Sequence, residues 1–161
     1  MKFLLENNLA KLAKWLRFLG FEVSVLQGPI NLGDLIRNRD RVFITTSRRW
    51  ERTLRNLGMR FLVVPRENWE DQICAVLKEL RIDPVLRLNR CAYCGGELKP
   101  IRKEDFRDRI PPKAYETAYD FTYCERCDAL FWKGLHYENM VRMLERVLRR
   151  CGDGKGEDLR A

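Results

Sequence analysis

The fold is decided by a stretch near the start of the chain, KFLLENNLAKLAKWLRFLG at residues 2–20. Its first part, Phe3 to Leu5, is short and apolar, which is typical of a buried strand. The next part repeats apolar residues at helical spacing until Gly20, a typical helix stop. The apolar face is Leu9, Leu12, Ala13, Leu16 and Leu19, and the charged face is Lys11, Lys14 and Arg17. A strand followed directly by an amphipathic helix is the opening unit of an α/β fold.

The same alternation continues to about residue 80. Short apolar or β-branched runs predict three further strands, at 23–26, 42–45 and 61–64. Helical patterns lie between and after them, at about 32–38, 48–57 and 69–80. Regular alternation predicts a small parallel sheet flanked by helices on both faces, within a domain of residues 1–85. Because ligands of such sheets bind beyond the carboxyl ends of the strands, the residues that follow each strand form the candidate site.

Composition limits the class of protein. The chain has 161 residues, of which 45% are hydrophobic, so it can fill a core and global disorder is excluded. Its 31 Lys and Arg outnumber its 23 Asp and Glu, and the net charge of +8 favours partners that carry phosphate, although ordinary basic proteins share this charge. No stretch approaches the roughly 20 apolar residues of a membrane-spanning helix, and the N-terminus lacks a secretory pattern. The sequence therefore predicts a cytoplasmic protein with no membrane partner.

Four of the six cysteines form two Cys-x-x-Cys pairs, Cys91 with Cys94 and Cys124 with Cys127. Two such tight turns supply four thiolates to one tetrahedral zinc ion, and a redox role fits this double pair much less well. Four thiolates leave no open coordination position. Zinc at this site is therefore predicted to support folding and not hydrolysis.

A second module follows a break at residues 83–84. Residues 86–150 are predicted to form a zinc ribbon that ends in a helix from about residue 137, and residues 151–161 a disordered, Gly-rich tail. The two remaining cysteines lie outside the zinc pairs. Cys74 is expected to be an ordinary buried residue on a helix face, and Cys151 is expected to have no partner.

The ribbon carries basic residues interleaved with aromatic residues. Such a mixture suits a surface that contacts phosphates and stacks on bases, and it equally suits solvated charge over a small core. His136 is the only histidine of the chain. A packing or capping role is its ordinary interpretation, and a nucleic-acid or catalytic contact and a zinc ligand are the alternatives.

Two motifs together resemble one known family. The first runs from Glu6 to Gly20 and contains Trp15-Leu16-Arg17. The second runs from Cys91-x-x-Cys94 through Pro111-Pro112 and Cys124-x-x-Cys127 to Trp132-x-Gly134-x-His136-Tyr137. Both are similar to the Mut-seven C-terminal RNase domain family, and the resemblance covers nearly the whole chain. It implies a PIN-like nuclease fold followed by a zinc ribbon, with carboxylates at the strand ends that hold Mg²⁺ or Mn²⁺ for cutting RNA.

The chain departs from the family pattern at two acidic positions. Glu6 stands where the family has Asp, which moves the carboxylate by about one bond length, and Mg²⁺ tolerates little deviation from octahedral geometry. Ser47 stands at the Asp of the family's Thr-Arg-Asp, so one anionic ligand is lost. Asp34, which also fits helix capping, and Glu67 remain as candidates. The predicted catalytic set is therefore Glu6, Asp34, Ser47 and Glu67, with Asp40, Glu51 and Asp71 as weaker substitutes.

Two hypotheses follow from the resemblance and the charge. The first is an RNA-binding PIN-like protein that acts as a metal-dependent endoribonuclease with an altered or weakened active site. The alternative is a catalytically degenerate domain that binds RNA or a protein partner without cleaving. In either case the predicted nucleic-acid contacts are Lys11, Lys14, Arg17, Arg48, Arg49, Lys133 and His136.

Overall fold

The computed structural model describes residues 1–152 and 160 of the chain. The first part alternates strands and helices in chain order: β1 (Lys2–Leu5), α1 (Ala10–Phe18), β2 (Glu22–Val25), α2 (Leu32–Arg37), β3 (Val42–Thr45), α3 (Glu51–Asn56), β4 (Phe61–Val63) and α4 (Trp69–Glu79). A short 3-10 helix, Asn7–Leu9, connects β1 to α1. Each of these strands and helices corresponds to a predicted one. Their bounds differ from the predictions by a few residues at most.

The four strands form a parallel sheet, as predicted, and their order is β2-β1-β3-β4. Phe3 of β1 lies between Val23 of β2 and Val42 of β3. From β1 the chain first moves to one side of the sheet, to β2, and then crosses to the other side, to β3. The gap between the carboxyl ends of β1 and β3 is therefore the topological switch point, where open α/β sheets hold their ligands.

Alternate residues of the strands supply two separate apolar cores, so helices cover both faces of the sheet as predicted. Phe3 and Leu5 face the larger core, which contains buried side chains of α1 and α4. Leu4 and Phe43 face the opposite side, where a smaller core is completed by α2 and α3. This alternation follows from the two-residue period of a strand.

The second part contains the ribbon. Its antiparallel sheet has the order β5 (Lys99–Pro100), β6 (Tyr119–Cys124) and β7 (Ala129–Lys133). Between β5 and β6 lie a 3-10 segment, Lys103–Arg109, and α5 (Pro112–Thr117). A small core of Ile110, Ala118 and Phe121 supports these elements. A domain this small depends on further stabilisation beyond its apolar core.

The last helix, α6 (Leu135–Arg150), packs on the α/β domain. Its buried residues belong to the same apolar core as those of α1 and α4. They are Tyr137, Met140, Val141, Leu144, Val147 and Leu148. The sequence analysis assigned this helix to the ribbon segment of residues 86–150. In the structure its apolar face packs in the larger core of the α/β domain. No helix among the described residues is long and apolar enough to cross a bilayer.

One expectation about the cysteines is wrong. Cys74 of α4 and Cys151, directly after α6, form a disulfide with their Cα atoms 5.7 Å apart. The two helices pack against each other, which brings these positions together although 77 residues separate them in sequence. Cys151 is thus part of the folded core and not of a tail. Of the segment predicted to be disordered, residues 153–159 and 161 lie outside the described residues.

Candidate metal centre and nucleic-acid interface

The two Cys-x-x-Cys turns meet and form one cluster. The Sγ atoms of Cys91, Cys94, Cys124 and Cys127 all lie within 4.8 Å of one another. The backbone N–H of Gly96 donates to Cys94 Sγ at 3.3 Å, as expected where a turn wraps its own sulfur. Four sulfur ligands at this spacing fit a tetrahedral zinc ion. The predicted ligand set is thus brought together in full.

Hydrogen bonds shift the pKa values of two cysteines of this cluster in opposite directions. Burial raises the pKa of the Cys94 thiol, but hydrogen bonds from the Gly96 N–H and from the neighbouring thiols outweigh it and lower the pKa to about 7. The hydrogen bond with Cys94, together with burial, raises the pKa of Cys127 to about 12. The metal-free cluster therefore retains protons at neutral pH, and a cation that binds four thiolates must displace them.

Arg17 is buried beside the cysteine cluster, which corrects its predicted place on the exposed charged face. It is 8% exposed. Its Nη2 donates to the carbonyl of Val23 at 2.8 Å, and its Nη1 donates to the carbonyls of Ala92 and Tyr93 at 3.0 and 3.3 Å. Burial lowers the pKa of the guanidinium, and the charge of Cys94 nearby acts in the opposite direction. These bonds join the α/β domain to the first zinc turn, so Arg17 is not free to contact a phosphate.

Gly95 fits closely against Arg17. Its φ of +76° lies in the left-handed region that favours glycine. A Cβ atom at this position would lie 2.9 Å from both Arg17 Nε and the Val23 carbonyl oxygen. The first zinc turn can approach the α/β domain this closely only because residue 95 has no side chain.

Glu6 and Ser47 lie at the switch point of the parallel sheet. Glu6 follows β1, and residues 45–47 end β3 and follow it. The Thr45 hydroxyl donates to Glu6 Oε1, and the Ser47 N–H donates to Thr45 Oγ1 at 3.0 Å. Asn8 Nδ2 donates to Thr46 Oγ1 at 3.3 Å. The result is one carboxylate that accepts from the Thr45 hydroxyl, with Thr46 and Ser47 following on the same edge of the sheet.

The environment of Glu6 favours its protonated form. Burial raises the pKa of this carboxyl group, and it outweighs the N–H of Thr46 and the positive charge of Arg66, which both lower it. The protein therefore only partly offsets the cost of burying the negative charge of Glu6. An additional cation at this edge would stabilise its ionised form.

Asp34 and Glu67 do not join Glu6 at a common metal position. Asp34 accepts from Asn31 Nδ2 at 2.8 Å, and it also pairs with Arg37. Asn31 in turn caps α2 by accepting from the Asp34 N–H at 2.9 Å. Glu67 is exposed after β4. Within residues 1–152 and 160, the four cysteines are the only group of three or more ligand side chains close enough to share one ion.

The weaker acidic substitutes are engaged in ordinary ion pairs. Asp40 pairs with Lys2, Glu51 with Arg48 and Arg55, and Asp71 with Arg150. The described residues therefore do not form a complete carboxylate site for Mg²⁺ or Mn²⁺. They offer one carboxylate, and water and a substrate phosphate would have to supply the remaining oxygen ligands.

Besides Arg17, five of the predicted basic contacts are exposed and one is largely buried. Lys11 and Lys14 are exposed on α1, and Arg48 and Arg49 are exposed after β3. His136 is exposed at the start of α6. Lys133 is different. Its side chain is 12% exposed and its Nζ lies 3.1 Å from Asp120 Oδ2.

A cleft of about 400 Å³ lies where α1, the first zinc turn, β7 and α6 meet. Tyr93 and Phe131 line it together with Lys11, Lys14 and His136. The sequence interpretation missed the two aromatic residues as site residues. The sequence feature that could have identified the cleft is Tyr93. It lies between two predicted metal ligands, where a large aromatic side chain is not expected to be part of an apolar core.

Comparison with known proteins gives one match. The family model described as the Mut7-C RNAse domain matches residues 1–144. No curated protein and no solved structure matches the chain.

Proposed function

Because the chain belongs to the Mut7-C RNAse domain family, we propose that it binds RNA and cuts it as a metal-dependent endoribonuclease with an altered active site. The proposed site is the switch point between β1 and β3. Zinc, held by the four cysteines, has a structural role in this proposal. The resemblance noted from the sequence motifs is confirmed by the family match, and the activity is our inference from it.

The observation that carries the proposal is the position of Glu6. It is the acidic residue at the switch point, and because burial raises the pKa of its carboxyl group, a cation beside it would stabilise its ionised form. We assign Glu6 as a ligand of one divalent ion, with the hydroxyls of Thr46 and Ser47 within the same edge. Such an ion supplies the positive charge that cleavage of a phosphodiester needs. Arg48 and Arg49, exposed directly after this edge, are assigned to phosphate contacts.

The alternative is RNA binding, or binding of a protein partner, without cleavage. One observation favours it: Asp34 is held by Asn31 and Arg37, so a second carboxylate does not reach Glu6. A single carboxylate binds Mg²⁺ weakly unless the substrate completes the coordination. On this alternative, the positive surface of the protein supports binding and the family's chemistry has been lost.

The test is an RNA cleavage assay with Mn²⁺ on the wild type, Glu6→Gln and Ser47→Asp. Glu6→Gln removes the carboxylate charge and keeps the side-chain volume. Ser47→Asp restores the acid that the family has at this position. Glu79→Gln, an exposed position at the end of α4, is the matched control.

We expect cleavage by the wild type, its loss in Glu6→Gln, an increase in Ser47→Asp and no change in Glu79→Gln. Cleavage at the wild-type rate in Glu6→Gln would overturn the assigned site. RNA binding by the wild type without cleavage at any Mn²⁺ concentration would establish the alternative.

A further inference from the structure

The cleft between α1, the first zinc turn, β7 and α6 lies outside the proposed nuclease site. We propose that this cleft binds an unpaired base of single-stranded RNA, stacked on Tyr93 and Phe131, while Lys11 and Lys14 hold the adjoining phosphates. This inference rests on the proposed function, because it names the form of RNA that the protein takes and where the RNA lies.

The zinc turn presents an exposed aromatic ring. Tyr93 is 69% exposed although it stands between two metal ligands, Cys91 and Cys94. Its ring centroid lies 5.9 Å from that of Phe131, at an angle of 42°. Zinc bound by these cysteines would fix the backbone on both sides of this ring. An aromatic pair with one ring exposed and the other half-buried is suited to stacking of a nucleic-acid base.

The floor of the cleft is apolar. Behind the aromatic pair lie Trp132, Met140, Met143 and Leu88. Such a floor suits the flat face of a base better than it suits water, because a base can leave water without losing hydrogen bonds from its face.

The charge of the cleft has one sign. Its charged lining residues are Lys11, Lys14 and Arg90, with His136 beside them, and no carboxylate belongs to the lining among the described residues. Glu97, whose Oε1 lies 3.7 Å from Arg90 Nη2, is not among the residues that line the cleft. A positive rim around an apolar floor complements a nucleotide, which joins a flat base to a negative phosphate.

Helix α1 connects the cleft to the proposed nuclease site. Lys11 and Lys14 are three residues apart and therefore share a face of this helix. The segment that leads into α1 begins at Glu6 and continues through the 3-10 helix Asn7–Leu9 to α1, in whose first turn Lys11 lies. An RNA strand seated in the cleft can thus follow α1 toward the switch point.

Single-stranded RNA fits this cleft and duplex RNA does not. In a duplex the faces of the bases are covered by their neighbours, so only an unpaired base can place its face against Tyr93. A partner protein that inserted an apolar side chain would instead leave RNA affinity independent of Tyr93.

The test measures binding of a labelled oligouridylate, and of an RNA duplex of equal length, by fluorescence anisotropy over a range of salt concentrations. The variants are Tyr93→Ala and Lys14→Ala. Tyr119→Ala is the control, because Tyr119 is a ribbon tyrosine that is 50% exposed and lies outside the cleft. Zinc content and thermal unfolding of each variant confirm that the ribbon is folded.

We expect Tyr93→Ala to weaken binding of the oligouridylate about tenfold with an unchanged salt dependence, since a stacking contact carries no charge. Lys14→Ala is expected to reduce the slope of log affinity against log salt by about 0.7. Tyr119→Ala and all duplex affinities should remain at their wild-type values.

Two negative results have different meanings. Wild-type binding of the oligouridylate that Tyr93→Ala leaves unchanged overturns the cleft proposal, and the proposed function stands. Failure of the wild type to bind either RNA overturns both.

Discussion

The cysteine cluster and the carboxyl edge of the parallel sheet were both predicted as sites, and they differ in how many of their predicted residues the fold brings together. In the cluster, all four predicted ligands meet within 4.8 Å. At the sheet edge, Glu6 and Ser47 lie at the switch point, while Asp34 is held by Asn31 and Arg37 and Glu67 is exposed. A Cys-x-x-Cys turn fixes the positions of two ligands at once. Carboxylates on separate strands and loops come together only if neighbouring side chains, such as Asn31 and Arg37 beside Asp34, do not bind them first.

The two regions also differ in how they balance charge. The cluster has a buried arginine fixed by three carbonyl groups beside four sulfurs. The sheet edge has one carboxylate, which accepts from the Thr45 hydroxyl and lies near the positive charge of Arg66. The first region therefore contains a fixed positive charge beside its sulfurs, whereas in the second region the charge of Arg66 does not outweigh the burial of Glu6.

The largest effect is expected from removing zinc. A strong chelator should unfold the ribbon and leave the α/β domain folded, because the ribbon core is small and metal binding supplies about 10 kcal/mol or more in such modules. Circular dichroism should show partial loss of structure, and four cysteines should become reactive to a thiol reagent without a reductant. A purified protein that contains no zinc and keeps an intact ribbon would contradict the assignment.

Arg17→Ala should have the next largest effect, a loss of about 3 kcal/mol in the free energy of unfolding. The substitution leaves buried carbonyls without donors and the cluster without its positive neighbour. Lys14→Ala, on the exposed face of the same helix, is the control and should change stability little. Urea unfolding measures both, and equal effects in the two variants would show that Arg17 is not a structural link.

Breaking the disulfide should reduce stability by about 2–4 kcal/mol and leave the zinc site intact. Cys74→Ser removes the bond between α4 and α6 without touching a metal ligand. Thermal unfolding of this variant should match that of the reduced wild type, with zinc content unchanged in both. Mass spectrometry that finds six free thiols in the non-reduced, zinc-free protein would rule out the bond.

Glu6→Gln should have the smallest effect, visible only as a change with pH. Burial raises the pKa of Glu6 above its ordinary value of 4.5, so the folded state holds this proton more tightly than the unfolded state. The resulting stability is present below the unfolded pKa and is lost as the pH rises through the folded pKa. Glu6→Gln should therefore gain stability relative to the wild type as the pH rises, whereas Glu79→Gln should not. A difference in unfolding free energy between Glu6→Gln and the wild type that stayed constant with pH would show that the Glu6 carboxyl group is not buried as described.

The sequence predicted features that depend on local pattern. Apolar runs such as residues 42–45 and the period of α1 were sufficient to predict the strands, the helices and a parallel sheet, but not the order of its strands. Cys-x-x-Cys spacing was sufficient for the metal ligands. The family match then confirmed the interpretation of the two longer motifs.

Features that depend on packing were missed. Arg17 follows the helical period of the charged face, but Val23 of β2 and Ala92 and Tyr93 of the first zinc turn close around it. Cys74 and Cys151 are 77 residues apart, so their pairing depends on how α4 meets α6. The cleft likewise contains residues from four separate elements, and no single segment could reveal it.

Helix α6 returns to the larger core, so the ribbon lies in the chain between two segments that pack in that core. The chain leaves the α/β domain after α4, forms the ribbon, and rejoins the domain through α6. A ribbon that loses its metal is therefore tethered at both ends, and its unfolded form is a closed loop of limited reach. We therefore expect loss and recovery of a zinc ion at this cluster to be local and reversible, because the cysteines remain at high effective concentration for one another while the rest of the molecule stays folded.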